Sequence, residues 1–313
     1  MNNMKGEDDN NQTIHINSKI NFKEIEVKSD GCTYKFNIQE YGCTKILTLH
    51  INVEVEHNSF LHIGGSYDPR STIKGKIFKV DGIPVIPATS FKGALRFQLE
   101  HLFIKNLPNF KNKFNVEKDD YLKPCIPTTN LSSTEKELVG KYYRNQLSTC
   151  SLEVGDSITF PEDGICPVCY FMGALGLPGF LRFTNFYPSN NLSKNAIIPQ
   201  TNIRLDRKTN TAAVGAKVEQ EQVKGGTTFD GYIDIILENQ VSRLQHITFG
   251  MSRVFTQQQT VDKWLEKWNV QNDDITIRIK TLIGDILIPA ISNIRELGGH
   301  KSRGAGKVTT KVL

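Results

Sequence analysis

The residues whose type and spacing could carry chemistry fall into a cysteine set and three basic sites. Cys166 and Cys169 stand in "CPVC", the two-residue gap with which a zinc knuckle presents two thiolates to one metal ion, and Cys125 and Cys150 lie upstream. Four thiolates from these positions would staple the segment between them, although the intervening 24 and 15 residues match no fixed spacing. His101 is a replacement ligand by type, and Cys32 and Cys43 read as ordinary buried or hairpin thiols.

The first basic site is "LGGHKSRGAGKV", Leu297 to Val308. A nucleotide P-loop needs Gly, four residues, then Gly-Lys-Ser/Thr opening a helix. Here Ala305 stands where the lysine belongs, and Val308 follows the only Gly-Lys pair, so that register fails. Four glycines still permit close backbone approach, and Lys301, Ser302 and Arg303 supply charge-assisted donors, which gives an anion-binding turn around Gly298 and Gly299. The second site is "SFKGALR", where Lys92 and Arg96 sit beside the unpaired N–H groups of a helix start; the alternative is a solvated helix face. The third is "IRLDRKTNTAAVGAK", with Arg204, Arg207, Lys208 and Lys217, its charge diluted by Asp206, Glu219 and Glu221. Acid–base candidates are few. His62 in "LHIGG" has the type of a general base, and Asp68 and Asp81 are the carboxylates of the loop after it, but no Ser-His-Asp order, HExxH or paired-carboxylate motif is present.

These residues must be held by recognisable elements. "TKILTLHINVEVE" alternates strictly, with Leu47, Leu49, Ile51, Val53 and Val55 on the core face of a strand. "TSFKGALRFQLEHLFIKNL" predicts a helix capped by Thr89 or Ser90, with Phe91, Leu95, Leu99, Leu102 and Phe103 as its apolar stripe. From about 107 to 165 the pattern becomes polar and reads as an inserted lobe without a core of its own. Residues 201–226 read as a protruding hairpin with little to bury, and "TTFDGYIDIIL" as a returning core strand. "VDKWLEKWNV" predicts a short helix, "ITIRIKTLI" a strand, a helix starting or kinked at Pro289 runs up to Leu297, and "KVTTKVL" closes the chain as a strand. The expected architecture is α+β, one domain over 14–313 after a disordered tail 1–13, with helices on one face of a mainly antiparallel sheet.

Composition narrows the class without deciding it. The 313 residues are 38% hydrophobic and 23% charged, with net charge +5, so only clustering of the basic residues would attract a polyanion. No apolar run approaches a membrane span, and the start "MNNMKGEDDNNQ" has no apolar signal region, which makes a cytoplasmic location and reduced cysteines the expectation.

"LHIGGS", "IPVIPATSFKGALR", "CPVCYFMGALG", "DRKTNTAAVGAKVEQEQVKGGTTF" and "LGGHKSRGAGKV", in that order, resemble the RAMP superfamily of CRISPR-associated proteins, most closely the repeating backbone subunit of type III effector complexes. The resemblance runs in patches from Leu61 to Val308 and implies a ferredoxin-like, RRM-like antiparallel sheet with a protruding thumb hairpin and an inserted, zinc-stapled lobe. It implies a ribonucleoprotein of antiviral defense whose partners are guide RNA, target RNA and other RAMP subunits, with no membrane. The helix from Thr89 to Leu107, with Lys92 and Arg96, and the terminal loop would lie against the guide backbone. The hairpin, with Arg204, Arg207 and Lys208, would interrupt the guide–target duplex. Cysteine clusters in zinc-bearing members match Cys125, Cys150, Cys166 and Cys169. Catalytic members carry an aspartate where "STIKGKIFKV" places Lys74, so this chain is expected to hold RNA without cutting it. The alternatives are a metal-dependent target-RNA endoribonuclease using Asp68 and a metal-free guide-processing RNase using His62.

Overall fold

The computed structural model describes residues 23–65, 73–126, 132–144, 150–154, 158–159, 161–189, 196–239, 247–254, 260–268 and 274–313. The expected tail 1–13 and Asp68 lie outside them, as do the side chains of Lys74, Arg204 and Lys217.

The chain opens as a meander of β1 (Glu24–Ser29), β2 (Cys32–Tyr41) and β3 (Thr44–Val55). Asp30 and Gly31, both at positive φ, form the two-residue turn whose twist matches the flanking strands, and Gly42 at φ 60° does the same for the second hairpin. Cys32 and Cys43 therefore sit exposed at hairpin ends. Short strands β4 (Ile73–Gly75), β5 (Lys79–Val80) and β6 (Ile83–Pro84) lead to helix α1 (Ala88–Lys105), then α2 (Leu107–Lys113), α3 (Ser133–Gly140), β7 (Glu153–Val154) and β8 (Ile158–Thr159). Next come α4 (Pro167–Met172), β9 (Leu181–Phe183), β10 (Tyr187–Pro188), the long pair β11 (Ile197–Leu205) and β12 (Ala212–Val223), then β13 (Thr228–Asn239) and β14 (Ile247–Thr248). The chain closes with α5 (Lys263–Glu266), α6 (Ile275–Leu282), α7 (Ile288–Ser292) and β15 (Val308–Val312).

In β3, Leu47, Leu49, Ile51, Val53 and Val55 are fully buried while their neighbours are only partly so, which places one face of the sheet on the core. β13 pairs antiparallel along β3, and β9 and β10 pair with the far side of β13. β15 pairs with β3 at Ile51–Val55, and β2 with the same strand at Thr44–Leu47. The order β15, β3, β13, β9/β10, with α1 following β3 and α6–α7 following β13, is the βαββαβ arrangement of the ferredoxin-like fold, an α+β architecture with a large antiparallel sheet.

Phe91, Leu95, Leu99 and Phe103 of α1 are fully buried against that sheet, each contributing about 1.5–3 kcal/mol. The cap differs from expectation: Pro87 occupies the N-cap position, and Asn185 Oδ1, from the β9–β10 connection, accepts from Ala88 N–H at 2.9 Å, so Thr89 and Ser90 lie inside the helix. "ITIRIKTLI" is α6 and not a strand. Its alternating isoleucines mimic period two, but Ile275, Ile279 and Leu282 recur at helical spacing and are buried, Ile277 is exposed, and Asp274 Oδ1 caps the helix by accepting from Thr276 N–H at 2.8 Å. A π-helical turn at Ile283–Leu287 joins α6 to α7 without a break in helical backbone, and Pro289 follows it in the first turn of α7. Gly284 in that turn lies where a Cβ would come 2.5 Å from the Lys28 carbonyl oxygen.

The polar segment after α1 has more core than its sequence indicates. Phe110 and Phe114 pack on Phe103 and Trp264, and Leu122 is fully buried in the same cluster. The β11–β12 hairpin exposes Ile203 and Leu205, turns at Asp206–Thr211, and buries Glu221, Gln222 and Val223 at its base, where Val223 and Leu61 exchange backbone hydrogen bonds. That buried base corrects the expectation that the hairpin has little to bury.

Candidate nucleic-acid interface and metal centre

The chain path brings Cys125, Cys150, Cys166 and Cys169 together from three separate stretches, all four buried, with their sulfurs within 4.8 Å of one another. Cys166 caps the short helix α4 and Pro167 opens it, so the CxxC spacing sets both thiols on one side of one turn. Cys169 N–H donates to Cys166 Sγ at 3.4 Å, Cys166 N–H donates to Cys150 Sγ at 3.3 Å, and Cys125 and Cys169 Sγ are 3.5 Å apart. A tetrahedral S₄ site with metal–sulfur bonds of about 2.3 Å requires sulfurs about 3.8 Å apart, so the set fits a metal ion. Burial opposes ionisation of Cys166, but bonding from the other three thiols and the charge of Arg144 hold it well below the ordinary thiol range. Hydrogen bonding to its three partners, with burial, pushes Cys169 up. His101 is exposed on α1 and takes no part.

Arg96, expected on a phosphate, belongs to this centre. Its Nη2 lies 3.5 Å from Cys169 Sγ and 3.7 Å from Cys125 Sγ, and its Nε donates to Glu100 at 3.0 Å. Burial opposes the charge, but the sulfurs of Cys169 and Cys125 beside it raise the guanidinium's pKa, which suits a counter-ion to a thiolate cluster. Arg144, which sequence reasoning missed, is buried and donates to the carbonyls of Gly164, Lys123 and Tyr121, tying the surrounding loops together.

Helix α1 has a cleft on each flank. On one side, about 710 Å³ of space is bounded by Lys92, Arg96, Arg182 and the turn Gly173–Gly179. Burial, with Arg182 and Arg96 close by, holds the Lys92 ammonium below the ordinary lysine range, and its ring neighbour is Phe183, 6.0 Å away. Among the described residues no carboxylate lines this cleft; its floor is the sulfurs of Cys125, Cys150 and Cys169, which engage Arg96, so Lys92 and Arg182 are the cations an entering anion would meet. On the other side, Ser90, Gly93 and Phe97 face Arg295, Glu296, Gly298 and Lys301 across about 640 Å³, with Lys301 Nζ 3.5 Å from the Glu296 carboxylate. Phe97 is 64% exposed, a large apolar ring held in water beside two cations. Sequence reasoning missed Phe97, Arg182 and Arg295, because their exposure follows only from packing.

The terminal loop is a turn first. Gly298, Gly304 and Gly306 all have positive φ, and a Cβ would lie 2.3 Å from the His62 carbonyl oxygen at Gly298 and 2.4 Å from that of Leu297 at Gly306. Three of the four glycines are thus required by the chain path, so their number is not itself a sign of a ligand. The N–H groups of Gly299 and Gly306 donate to the carbonyls of His62 and Phe60, whereas those of His300, Lys301 and Ser302 have no partner among the described residues. Ser302 and Arg303 are exposed in the 3₁₀ turn, and His300 sits at φ 59°. Gly299 differs from its neighbour: its φ is ordinary and a Cβ would meet nothing closer than 3.8 Å. Gly298→Ala should therefore cost about 1–3 kcal/mol in thermal or denaturant unfolding, while Gly299→Ala should leave the midpoint in place.

His62 is buried, and its Nδ1 donates to the Glu221 carbonyl at 2.8 Å, with the His300 ring 4.8 Å away. Asp81 forms the β5–β6 turn with Gly82, both at positive φ. Arg207 and Lys208 are exposed at the hairpin turn.

Among the described residues, no helix is long and apolar enough to cross a membrane. A family model described as the RAMP superfamily matches residues 55–309. No curated protein matches the sequence. Among solved structures, a chain of the type III-B Cmr-beta complex bound to cognate target RNA, determined by cryo-electron microscopy, is 15% identical, with a TM-score of 0.39, over 85% of this chain and 96% of that one.

Proposed function

Because the chain belongs to the RAMP superfamily, we propose that it is an RNA-holding subunit of a type III CRISPR effector ribonucleoprotein, which grips guide RNA by its backbone and presents it to target RNA beside other RAMP subunits. The observation that carries this reading is the pair of clefts flanking the first turns of α1, one lined by Lys92 and Arg182, the other by Arg295, Lys301 and the exposed Phe97. Gly93, in the second cleft, has open space where a Cβ would stand, so a sugar-phosphate chain can approach the helix closely there. Backbone contacts suit a guide whose bases vary while its phosphates and 2′-hydroxyls do not. The hairpin, with Arg204, Arg207 and Lys208, is the thumb of this reading, and the terminal loop offers Gly298, Gly299, Lys301, Ser302 and Arg303 to the backbone. The four cysteines, a closed and buried all-sulfur set, would hold zinc as a structural ion.

Alanine at Lys92 and Lys301 tests the clefts, with RNA binding followed from about 50 to 200 mM salt. Each lost phosphate contact should lower the slope of log affinity against log salt by roughly 0.7 for a single strand. Slopes equal to wild type in both variants would sink the reading. Gly299→Val, whose Cβ would meet nothing closer than 3.8 Å, should also weaken retention of copurifying RNA.

A further inference from the structure

The solvent face of the sheet, opposite the helices, carries aromatic rings on its two central strands. His50 of β3 and Tyr232 of β13 are cross-strand partners, their rings stacked with centroids 5.0 Å apart and 24° between planes. Tyr187 of β10, the partner of Asp230, extends the same face; Tyr187 is 44% and Tyr232 45% exposed. Around the rings lie polar groups fixed by the sheet: Asn52 Nδ2 donates to Asp230 Oδ1 at 2.7 Å, and Thr48 Oγ1 donates to Asp234 Oδ1 at 2.6 Å. Asp234 Oδ2 accepts no hydrogen bond among the described residues.

We propose that this face is a second, base-stacking site for single-stranded RNA, in which unpaired nucleobases lie on Tyr232 and Tyr187 while Asp230 and Asp234 accept from their exocyclic amino groups. Aromatic side chains on a four-stranded antiparallel sheet stack bases of any sequence through their π-faces. The charge of the face decides what approaches it. Carboxylates repel phosphates, so the strand must turn its bases inward and its backbone outward, toward Lys311, exposed on β15 opposite Asn52. The same carboxylates favour cytosine, adenine and guanine, which carry amino groups, over uracil, which does not. The site shares its ligand class with the reading above but none of its residues.

The test is fluorescence anisotropy of the full chain with labelled 15-nucleotide oligo(C) and oligo(U). Tyr232→Ala should weaken oligo(C) binding between about 5-fold and 150-fold without changing the salt slope, Tyr232→Phe should restore it to within about 2-fold, and oligo(U) should bind less tightly than oligo(C). Wild-type affinity in both Tyr232→Ala and Tyr187→Ala overturns the proposal. If alanine at Lys92 and Lys301 still weakens binding in that case, only the sheet site falls; if no variant has any effect, the RNA-holding reading falls too. Loss of a copurifying protein from Tyr232→Ala with oligo(C) binding intact would make the face a protein-docking surface and overturn the proposal as well.

Discussion

Cys169→Ser is expected to take the one ion per chain of the proposed zinc centre to less than about a tenth of that by elemental analysis, and to lower the melting temperature sharply. The sulfur of Cys169 touches that of Cys125, anchors Arg96, and sits on the turn that joins α4 to the rest of the centre. Structural zinc sites contribute apparent binding energies of about 10–16 kcal/mol at neutral pH, and that binding energy is folding energy. Losing one of four ligands also leaves Arg96 buried against a weaker partner. Cys32→Ser, on an exposed hairpin end, is the control and should melt as wild type. Acid should mimic the mutation. Thiolates bind the metal and thiols do not, so lowering the pH protonates the ligands, releases the ion and removes its stabilisation, and raising the pH again restores both. A Cys169→Ser chain that kept its ion and its melting temperature would show that the four sulfurs do not act as a centre.

Asp262→Ala is expected to cost about 3–5 kcal/mol in denaturant unfolding. Arg253 and Asp262 are paired inside the protein, 1% and 0% exposed, with two 2.7 Å bonds from the guanidinium to the carboxylate and a third, at 3.0 Å, from Arg253 N–H. Tyr170 and Phe180 close over the guanidinium at 5.2 and 5.4 Å. Burial opposes the charge on Arg253, but Asp262 more than offsets it and raises the group's pKa. Alanine removes the carboxylate and strands that charge among aromatic rings. Replacing both residues by apolar ones of similar volume should recover most of the loss, since a paired buried ion is stabilising only relative to a broken one. Equal midpoints for the single and double variants would refute this account.

The alternation of β3 and the stripe of α1 were legible because each buries one face along its whole length, so period and burial coincide. α6 was not, since isoleucines at 275, 277 and 279 satisfy period two, and only the packing of Leu282 and the cap at Asp274 decide for a helix. The cysteine set was legible as a set of residue types. The role of Arg96 was not: its sulfur partners lie 29 and 73 residues away, and the four-residue step from Lys92 does not reveal that the two cations serve different neighbours. The glycine turn misled in the same way, because counting glycines does not say which of them the backbone needs. The α1–loop cleft joins residues some two hundred positions apart, beyond the reach of any local pattern.

Ser59 has a consequence for the order in which this protein is made. Its hydroxyl donates to the Gly304 carbonyl at 2.9 Å and accepts from Lys307 N–H at 3.1 Å, across 245 and 248 residues of sequence. The wall of the α1 cleft that carries Arg295, Glu296 and Lys301 is thus fastened to a residue translated long before it. At about 5–20 residues per second, a ribosome delivers that wall some tens of seconds or less after the helix it faces. Until then the nascent chain displays Ser90, Gly93 and Phe97 without the wall that carries Arg295, Glu296 and Lys301, so this cleft exists only once the loop has docked.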